Sequence, residues 1–167
     1  EITYGDWSSD VCSSDLSLDD PGEVLNLLND NFFMEDHNGQ YFTIVYGIYN
    51  PKTRQLTYAN GGHPPAILVY GAPSDKGLTS PSKTSCLEYL EATGIPVGFM
   101  SGFKFPVRSH QIPPASRLYV FSDGIYEILD SHTGKPWGLK NFSLLLSEFF
   151  QQNYPSLEEL IQHIQKE

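Results

Sequence analysis

The spacing of apolar residues along the chain predicts a β-rich centre between helical ends. Apolar positions recur every three or four residues from Val24 to Phe32, after Asp20 and Pro21, which suit the cap and first position of a helix. The predicted strands are residues 41–49, 56–60, 66–70, 86–90, 103–112 and 117–122, and the predicted later helices are 143–150 and 156–164. Pro106 cannot donate to a ladder and places the fifth strand towards a sheet edge. This order of elements predicts an α+β domain.

The segment 119–127 carries the first candidate chemistry. A strand-like run leads into Asp123 and Gly124, and a second carboxylate, Glu127, follows four residues after the first. If residues 125–129 form a helix, Asp123 and Glu127 lie on one face of it, and Gly124 lets the backbone turn sharply. Two such carboxylates suit a hard, oxygen-liganded cation such as Mg²⁺ or Mn²⁺. The alternative is an ordinary Asp-Gly turn without a metal.

A second segment places a tight loop between two strands. Residues 57–60 read as a strand, Gly-Gly-His-Pro-Pro at 61–65 as a loop centred on His63, and 66–68 as the next strand. The strand at 41–49 lies upstream, and Gly-Ile-Pro-Val-Gly at 94–98 lies downstream. In this order, ending in Ser-Asp-Gly-Ile-Tyr-Glu, the four blocks resemble the SpoIIE/RsbU-like branch of the PPM (PP2C-type) metal-dependent serine/threonine phosphatases. The resemblance runs from about Pro21 to the end of the chain.

The resemblance implies a fold and a site. The fold is an α-β-β-α sandwich of two packed antiparallel sheets, with two Mn²⁺ or Mg²⁺ ions in a cleft at one end. The implied reaction is hydrolysis of phosphoserine or phosphothreonine by a metal-activated water. Asp123 matches a metal ligand of the catalytic centre, next to Gly124, and Glu127 matches a position that serves a further metal in the wider family. His63 stands where relatives outside this branch have another carboxylate for that site, and its alternative role is to fix the loop.

Two family motifs are not found in the sequence. These are a Gly-Asp-Val-x-Gly-His-Gly motif before the first helix, and an Asp-bearing segment that leads into a final strand after the last helix. The expected domain is therefore a sandwich truncated at both ends, a fragment without turnover, because Asp123 alone remains of the primary ligands. Residues 6–16 also match one reading frame of a sequencing-library adapter, although a natural polar leader is the alternative. We expect 1–16 to be an adapter artefact or disordered tail and 17–167 a partial phosphatase domain.

Composition narrows the choice of partners. The formal net charge is −10 and no basic cluster occurs, so we expect neither nucleic acid nor a membrane as a partner. No apolar run approaches the roughly 20 residues of a membrane span. Cys12 falls in the adapter-like segment and leaves Cys86 as a solitary thiol, which fits a reducing cytoplasm. The resemblance implies a phosphorylated STAS-type protein as substrate in bacterial sigma-factor regulation, and a sensor domain upstream. The alternative is a catalytically inactive, phosphatase-like module that binds a partner.

Overall fold

The first helix begins where the sequence predicts it. The computed structural model describes residues 18–71, 85–91, 93–129, 134–151 and 157–164. Helix α1 spans Pro21–Asn31, and the Asp20 carboxylate accepts hydrogen bonds from the backbone N–H groups of Gly22 at 2.8 Å and Glu23 at 3.2 Å. These two N–H groups have no acceptor within the helix, so the Asp20 side chain fixes its start.

Within the described residues, six strands and two further helices follow α1. The strands are β1 (Ile44–Asn50), β2 (Gln55–Gly61), β3 (Ile67–Gly71), β4 (Ser85–Tyr89), β5 (Val107–Gln111) and β6 (Ser116–Tyr119), and the helices are α2 (Gly138–Gln151) and α3 (Leu157–Ile164). The described strands pair antiparallel in two sheets, sheet I with the order β1-β2-β5 and sheet II with the order β4-β3-β6. The predicted strands are confirmed with shifted ends. The fifth is shorter than predicted because it begins only after Pro106, and β5 lies at a sheet edge as expected.

Helices cover the outer face of sheet II. Ile67 and Val69 of β3 share a buried cluster with Phe142 and Leu146 of α2 and with Leu160 of α3. Phe142 and its apolar neighbours recur at helical spacing, so each helix has one apolar face. Burial of these faces against sheet II holds both helices in place.

Helix α1 covers sheet I in the same way. Leu25 is fully buried and packs with Ala59 of β2, Val97 and Phe105. Between the sheets, Leu56 of β2 belongs to a third cluster that includes residues before β3 and after β4. Helix, sheet, sheet and helix are therefore stacked, and the predicted α-β-β-α sandwich is confirmed.

The two sides of the sandwich differ. On the side of β4 and β5, the Arg108 guanidinium lies 3.4 Å from the Glu91 carboxylate and the His110 ring nitrogen lies 3.6 Å from the Glu88 carboxylate. Towards β1 and β6 lies a largely apolar cavity of about 260 Å³. Its lining residues are Val45, Gly47, Leu56, Tyr58, Asn60, Ala66, Leu90, Leu118 and Val120.

The segment that precedes Asp123 is less buried than the sequence suggests. The apolar run at 117–122 would suit a buried central strand, but the described structure differs. In sheet II, β6 pairs with β3 and is an edge strand of the described part. Leu118 is 41% exposed and Val120 54% exposed, because both line the open inter-sheet cavity.

Two further expectations concern the N-terminal tail and membrane-spanning helices. The tail at 1–16 and the boundary at 17 lie outside the described residues and stay predictions. Within the described residues, no helix combines the length and the apolar character needed to cross a membrane.

Candidate functional site

The strand register brings the two candidate segments to one end of the sandwich. In sheet II, Tyr119 at the end of β6 pairs with Ile67 at the start of β3. Asp123 follows β6 by four residues, and His63 precedes β3 by four residues. Both segments therefore leave the sheet at the same end, as the order of the sequence blocks predicts. We call this end, formed by residues 62–66 and 120–127, the candidate rim.

Asp123 begins a single tight turn. The residues Asp123–Ile125 form a 3-10 turn, and the Asp123 carbonyl accepts hydrogen bonds from the N–H groups of Tyr126 and Glu127, both at 3.0 Å. Glu127 therefore lies one turn after Asp123, close along the chain as expected. Both carboxylate residues are exposed to solvent.

A helix over 125–129, the condition for placing Asp123 and Glu127 on one helix face, does not form. Leu129 instead makes a β-bridge to Pro136, and the Trp137 N–H donates to the Ile128 carbonyl at 2.9 Å. Residues 127 and 128 form a bend before this bridge, so the chain leaves the turn without continuing as a helix. Asp123 and Glu127 are neighbours through one turn and not through a helix face.

Glycine at position 124 is not required by the local geometry. Its backbone is not in the left-handed region, and an added Cβ would meet only the Ser122 hydroxyl oxygen, at 4.0 Å. The turn therefore does not use the conformational freedom of glycine. The open space beside it is consistent with access to the Asp123 carboxylate from solvent.

Tyr126 reports the electrostatics of the candidate rim. Burial raises the pKa of the Tyr126 phenol above its ordinary value, and the negative charges of Asp123 and Glu127 raise it further. Both carboxylates are therefore close enough to place a negative potential on the phenol. Sequence reasoning missed this residue, because a tyrosine between two acidic residues has no distinctive spacing.

The His63 loop is fixed by one buried amide. Asn60 is 5% exposed; its side-chain oxygen accepts from the His63 N–H at 3.0 Å and its side-chain nitrogen donates to the His63 carbonyl at 2.9 Å. Gly62 has a φ of +71°, and an added Cβ would lie 2.6 Å from the Pro96 nitrogen, so glycine is needed here. The double hydrogen bond of Asn60 was not predicted from the sequence.

The imidazole of His63 takes part in this loop. Its Nδ1 lies 3.0 Å from the Pro64 carbonyl oxygen, a contact that requires the proton on Nδ1. This supports the loop-fixing alternative for His63. The Nε2 atom then carries the lone pair and is the nitrogen that a cation would meet.

The candidate rim supplies the type of metal ligand that a hard cation prefers, but only a small number of such ligands. Carboxylate oxygens are the ligands that Mg²⁺ and Mn²⁺ prefer, and Asp123 and Glu127 supply them from one turn. Among the described residues, no group of three or more His, Cys, Asp or Glu side chains is arranged to hold a metal ion. The described part of the rim therefore offers a partial ligand set.

The fold and the rim define the class of protein. Two antiparallel sheets between helical layers, with an Asp-Gly turn and a Gly-Gly-His-Pro loop at one end, are the arrangement expected for the SpoIIE/RsbU-like branch of the PPM phosphatases. The family model described as Stage II sporulation protein E (SpoIIE) matches residues 11–167. The chain therefore belongs to the SpoIIE family, which confirms the resemblance seen in the sequence.

Individual relatives are more distant. Protein IcfG of Synechocystis sp. is 23% identical over 142 residues, which cover 84% of this chain and 20% of the relative. The chain thus spans about a fifth of the length of that curated relative. The crystal structure of the RsbU and RsbW domains of Rv1364c from Mycobacterium tuberculosis gives a TM-score of 0.54 at 25% identity, over 72% of this chain and 30% of the other.

A second solved structure has a lower similarity. The phosphatase domain of the cell fate determinant SpoIIE from Bacillus subtilis, presoaked with Mn, gives a TM-score of 0.41 at 14% identity. The match covers 74% of this chain and 46% of that chain. A TM-score this low carries no argument about the present chain.

Proposed function

We propose that this chain acts in the removal of phosphate from phosphoserine or phosphothreonine of a protein, as a metal-dependent phosphatase domain. The observation that carries the proposal is the SpoIIE family match across residues 11–167. The joint position of Asp123 and the His63 loop at the candidate rim supports it.

In this proposal Asp123 is the main metal ligand at the rim. The Asp123 and Glu127 carboxylates would hold Mn²⁺ or Mg²⁺, and His63 would serve a further metal of the complete domain through Nε2. When bound, such ions supply an activated water and neutralise phosphoryl oxygens. Without a cation, the two carboxylates repel a phosphate dianion, since like charges meet at short range. The charge of the rim itself therefore makes metal dependence an expected property.

The proposed substrate is a phosphorylated STAS-type regulatory protein. Support comes from the RsbU-like branch to which the sequence blocks point, and the setting would be bacterial sigma-factor regulation in the cytoplasm, behind a sensor domain. The net charge of −10 disfavours a nucleic acid as partner, because the phosphate backbone is attracted by basic surfaces and repelled by acidic ones.

A phosphatase assay with a matched pair of variants tests the proposal. A phosphoserine-bearing STAS-domain protein is incubated with the chain and MnCl₂, and released phosphate is measured. Asp123→Asn should abolish any Mn²⁺-dependent release, whereas Glu148→Gln, which removes an exposed carboxylate on α2, should leave it unchanged. Mn²⁺-dependent release that exceeds the metal-free background and is equal for Asp123→Asn and the unmodified chain would show that the metal ligands lie elsewhere.

The partial ligand set favours a second candidate, a module that binds its partner without turnover. The sequence has no Gly-Asp-Val-x-Gly-His-Gly motif, and the described residues form no group of three metal-binding side chains. A small number of ligands outside a preformed site binds Mg²⁺ or Mn²⁺ only weakly. We therefore expect little turnover by this chain. Calorimetry with MnCl₂ and with the phosphorylated STAS-domain protein separates the candidates. Protein binding without phosphate release supports the module, and robust Mn²⁺-dependent release contradicts it.

A further inference from the structure

Three large apolar side chains are exposed together next to the candidate rim. Tyr41 is 55% exposed, Phe99 50% and Met100 51%. The Tyr41 and Phe99 rings meet edge to face, with centroids 6.1 Å apart and planes at 85°. We call these three residues the Phe99 patch. Aromatic and methionine side chains are enriched at protein interfaces, and adjacent exposed ones mark interaction sites.

The backbone beneath the patch is held by a buried asparagine. Asn29 of α1 is fully buried; its side-chain oxygen accepts from the Gly98 N–H and its side-chain nitrogen donates to the Met100 carbonyl, both at 2.9 Å. Gly98 has a φ of +88°, and an added Cβ would overlap the Phe32 carbonyl oxygen. Phe99 therefore stands between two residues that a single helix side chain fixes.

The other side of the patch is fixed by a β-bridge. The Phe42 N–H donates to the Val97 carbonyl at 3.2 Å, and the Val97 N–H donates back to the Phe42 carbonyl at 2.9 Å. Tyr41 precedes this bridge directly. Because both segments are already ordered, a partner that docks on the patch loses little conformational entropy of this surface.

Acidic residues flank the patch. The Met34 N–H donates to the Gly98 carbonyl at 3.1 Å, which ties the turn at 33–40 to the patch. Glu35 and Asp36 follow Met34 and are exposed, as is Asp30, which follows Asn29 in α1. In the described segments that carry the patch and tie it to α1, residues 29–42 and 97–104, these three acids stand against one lysine, Lys104, and one histidine, His37.

We propose that the Phe99 patch docks a cationic amphipathic segment of a partner protein, one that places an apolar anchor against Phe99 and Met100 and Lys or Arg beside the acidic residues. Apolar contact would supply affinity and the opposite charges would supply selectivity and orientation. Ile44 at the start of β1 pairs with Gly61 at the end of β2, so the patch lies at the same end as the His63 loop. The docked segment would lie beside the candidate rim. The proposal does not depend on phosphatase activity.

Methionine-methyl NMR tests the proposal directly, because the chain contains only two methionines, Met34 and Met100. The protein with ¹³C-methyl methionine is titrated with a synthetic amphipathic peptide that carries Leu and Phe flanked by Lys, and with a matched peptide in which Glu replaces every Lys. We expect a saturable shift of the Met100 methyl signal with the Lys peptide and at least about tenfold weaker binding of the Glu peptide.

Two variants with exposed side chains complete the test. Phe99→Ala should weaken binding of the Lys peptide by at least about tenfold. Leu144→Ala, which removes a side chain 53% exposed on α2, should leave it unchanged. Circular dichroism checks that both variants fold. Equal affinities for the two peptides, no saturable shift, or equal binding by Phe99→Ala would overturn the proposal. A Met100 signal that changes with protein concentration alone would assign the patch to a second copy of the chain and would overturn it as well.

Discussion

Replacing Asn29 by alanine removes a side chain that bonds both ends of the turn at 98–100. Asn29 is fully buried, accepts from the Gly98 N–H and donates to the Met100 carbonyl, both at 2.9 Å. Alanine leaves the buried Gly98 N–H without an acceptor, which costs about 1–3 kcal/mol. The Met100 carbonyl still accepts a hydrogen bond from the Phe103 N–H, at 3.4 Å, which offsets part of the loss.

The lost side-chain volume adds a smaller cost. With a cavity contribution of about 1 kcal/mol, we expect Asn29→Ala to lower the free energy of unfolding by about 2–4 kcal/mol. For a domain of this size this corresponds to a fall in melting temperature of roughly 4–16 °C. Urea denaturation followed by tryptophan fluorescence and circular dichroism measures the change.

Asn31→Ala provides the matched control in the same helix. The Asn31 side chain also donates to a backbone carbonyl, that of Leu27 at 2.8 Å, but it does so at the exposed surface. Both substitutions replace asparagine by alanine in α1, so the change in helix propensity is similar in the two. We expect Asn31→Ala to change stability by less than about 0.5 kcal/mol. If the two variants prove equally stable, the buried amide is not what holds the turn.

Further substitutions test the candidate rim and the first helix. In Gly94→Ala the added Cβ would overlap the Asn60 carbonyl oxygen, so we expect a loss of about 1–3 kcal/mol or more in denaturant unfolding, and wild-type stability would contradict this close approach. Asp123→Asn removes a negative charge near Tyr126 and should lower the phenol pKa in a ¹³C-tyrosine NMR titration; an unchanged pKa would mean that the two groups do not interact. Asp20→Ala removes the cap of α1 and should cost about 0.5–2 kcal/mol in the same unfolding assay, where an unchanged midpoint would show that the cap is dispensable.

Elements that depend on local chemistry were predictable from the sequence. The start of α1 follows from Asp20 and Pro21, whose cap geometry involves only the next three residues. Pro106 lacks an N–H group, and the following strand accordingly lies at the edge of sheet I. The order of the sequence blocks around His63 and Asp123 predicted the family, which the match over residues 11–167 confirms.

Tertiary contacts decided the rest. The residues after Asp123 have helical spacing, but the bonds of Ile128 and Leu129 to Trp137 and Pro136 draw them into a bridge. This bridge joins two separate segments of the chain. The spacing of apolar residues within the segment after Asp123 therefore cannot reveal it.

The exposure of surfaces was likewise settled by packing between elements. The pattern of β6 is apolar in the sequence, yet Leu118 is 41% exposed because it faces the inter-sheet cavity. The turn at 98–100 depends on Asn29, about seventy positions earlier, whose amide is satisfied only when α1 packs on sheet I. The sequence by itself thus determined the local elements and the family, whose signals lie in short runs of residues. The tertiary structure decided which faces are covered and how Asp123, His63 and the Phe99 patch are presented, since these depend on contacts between distant residues.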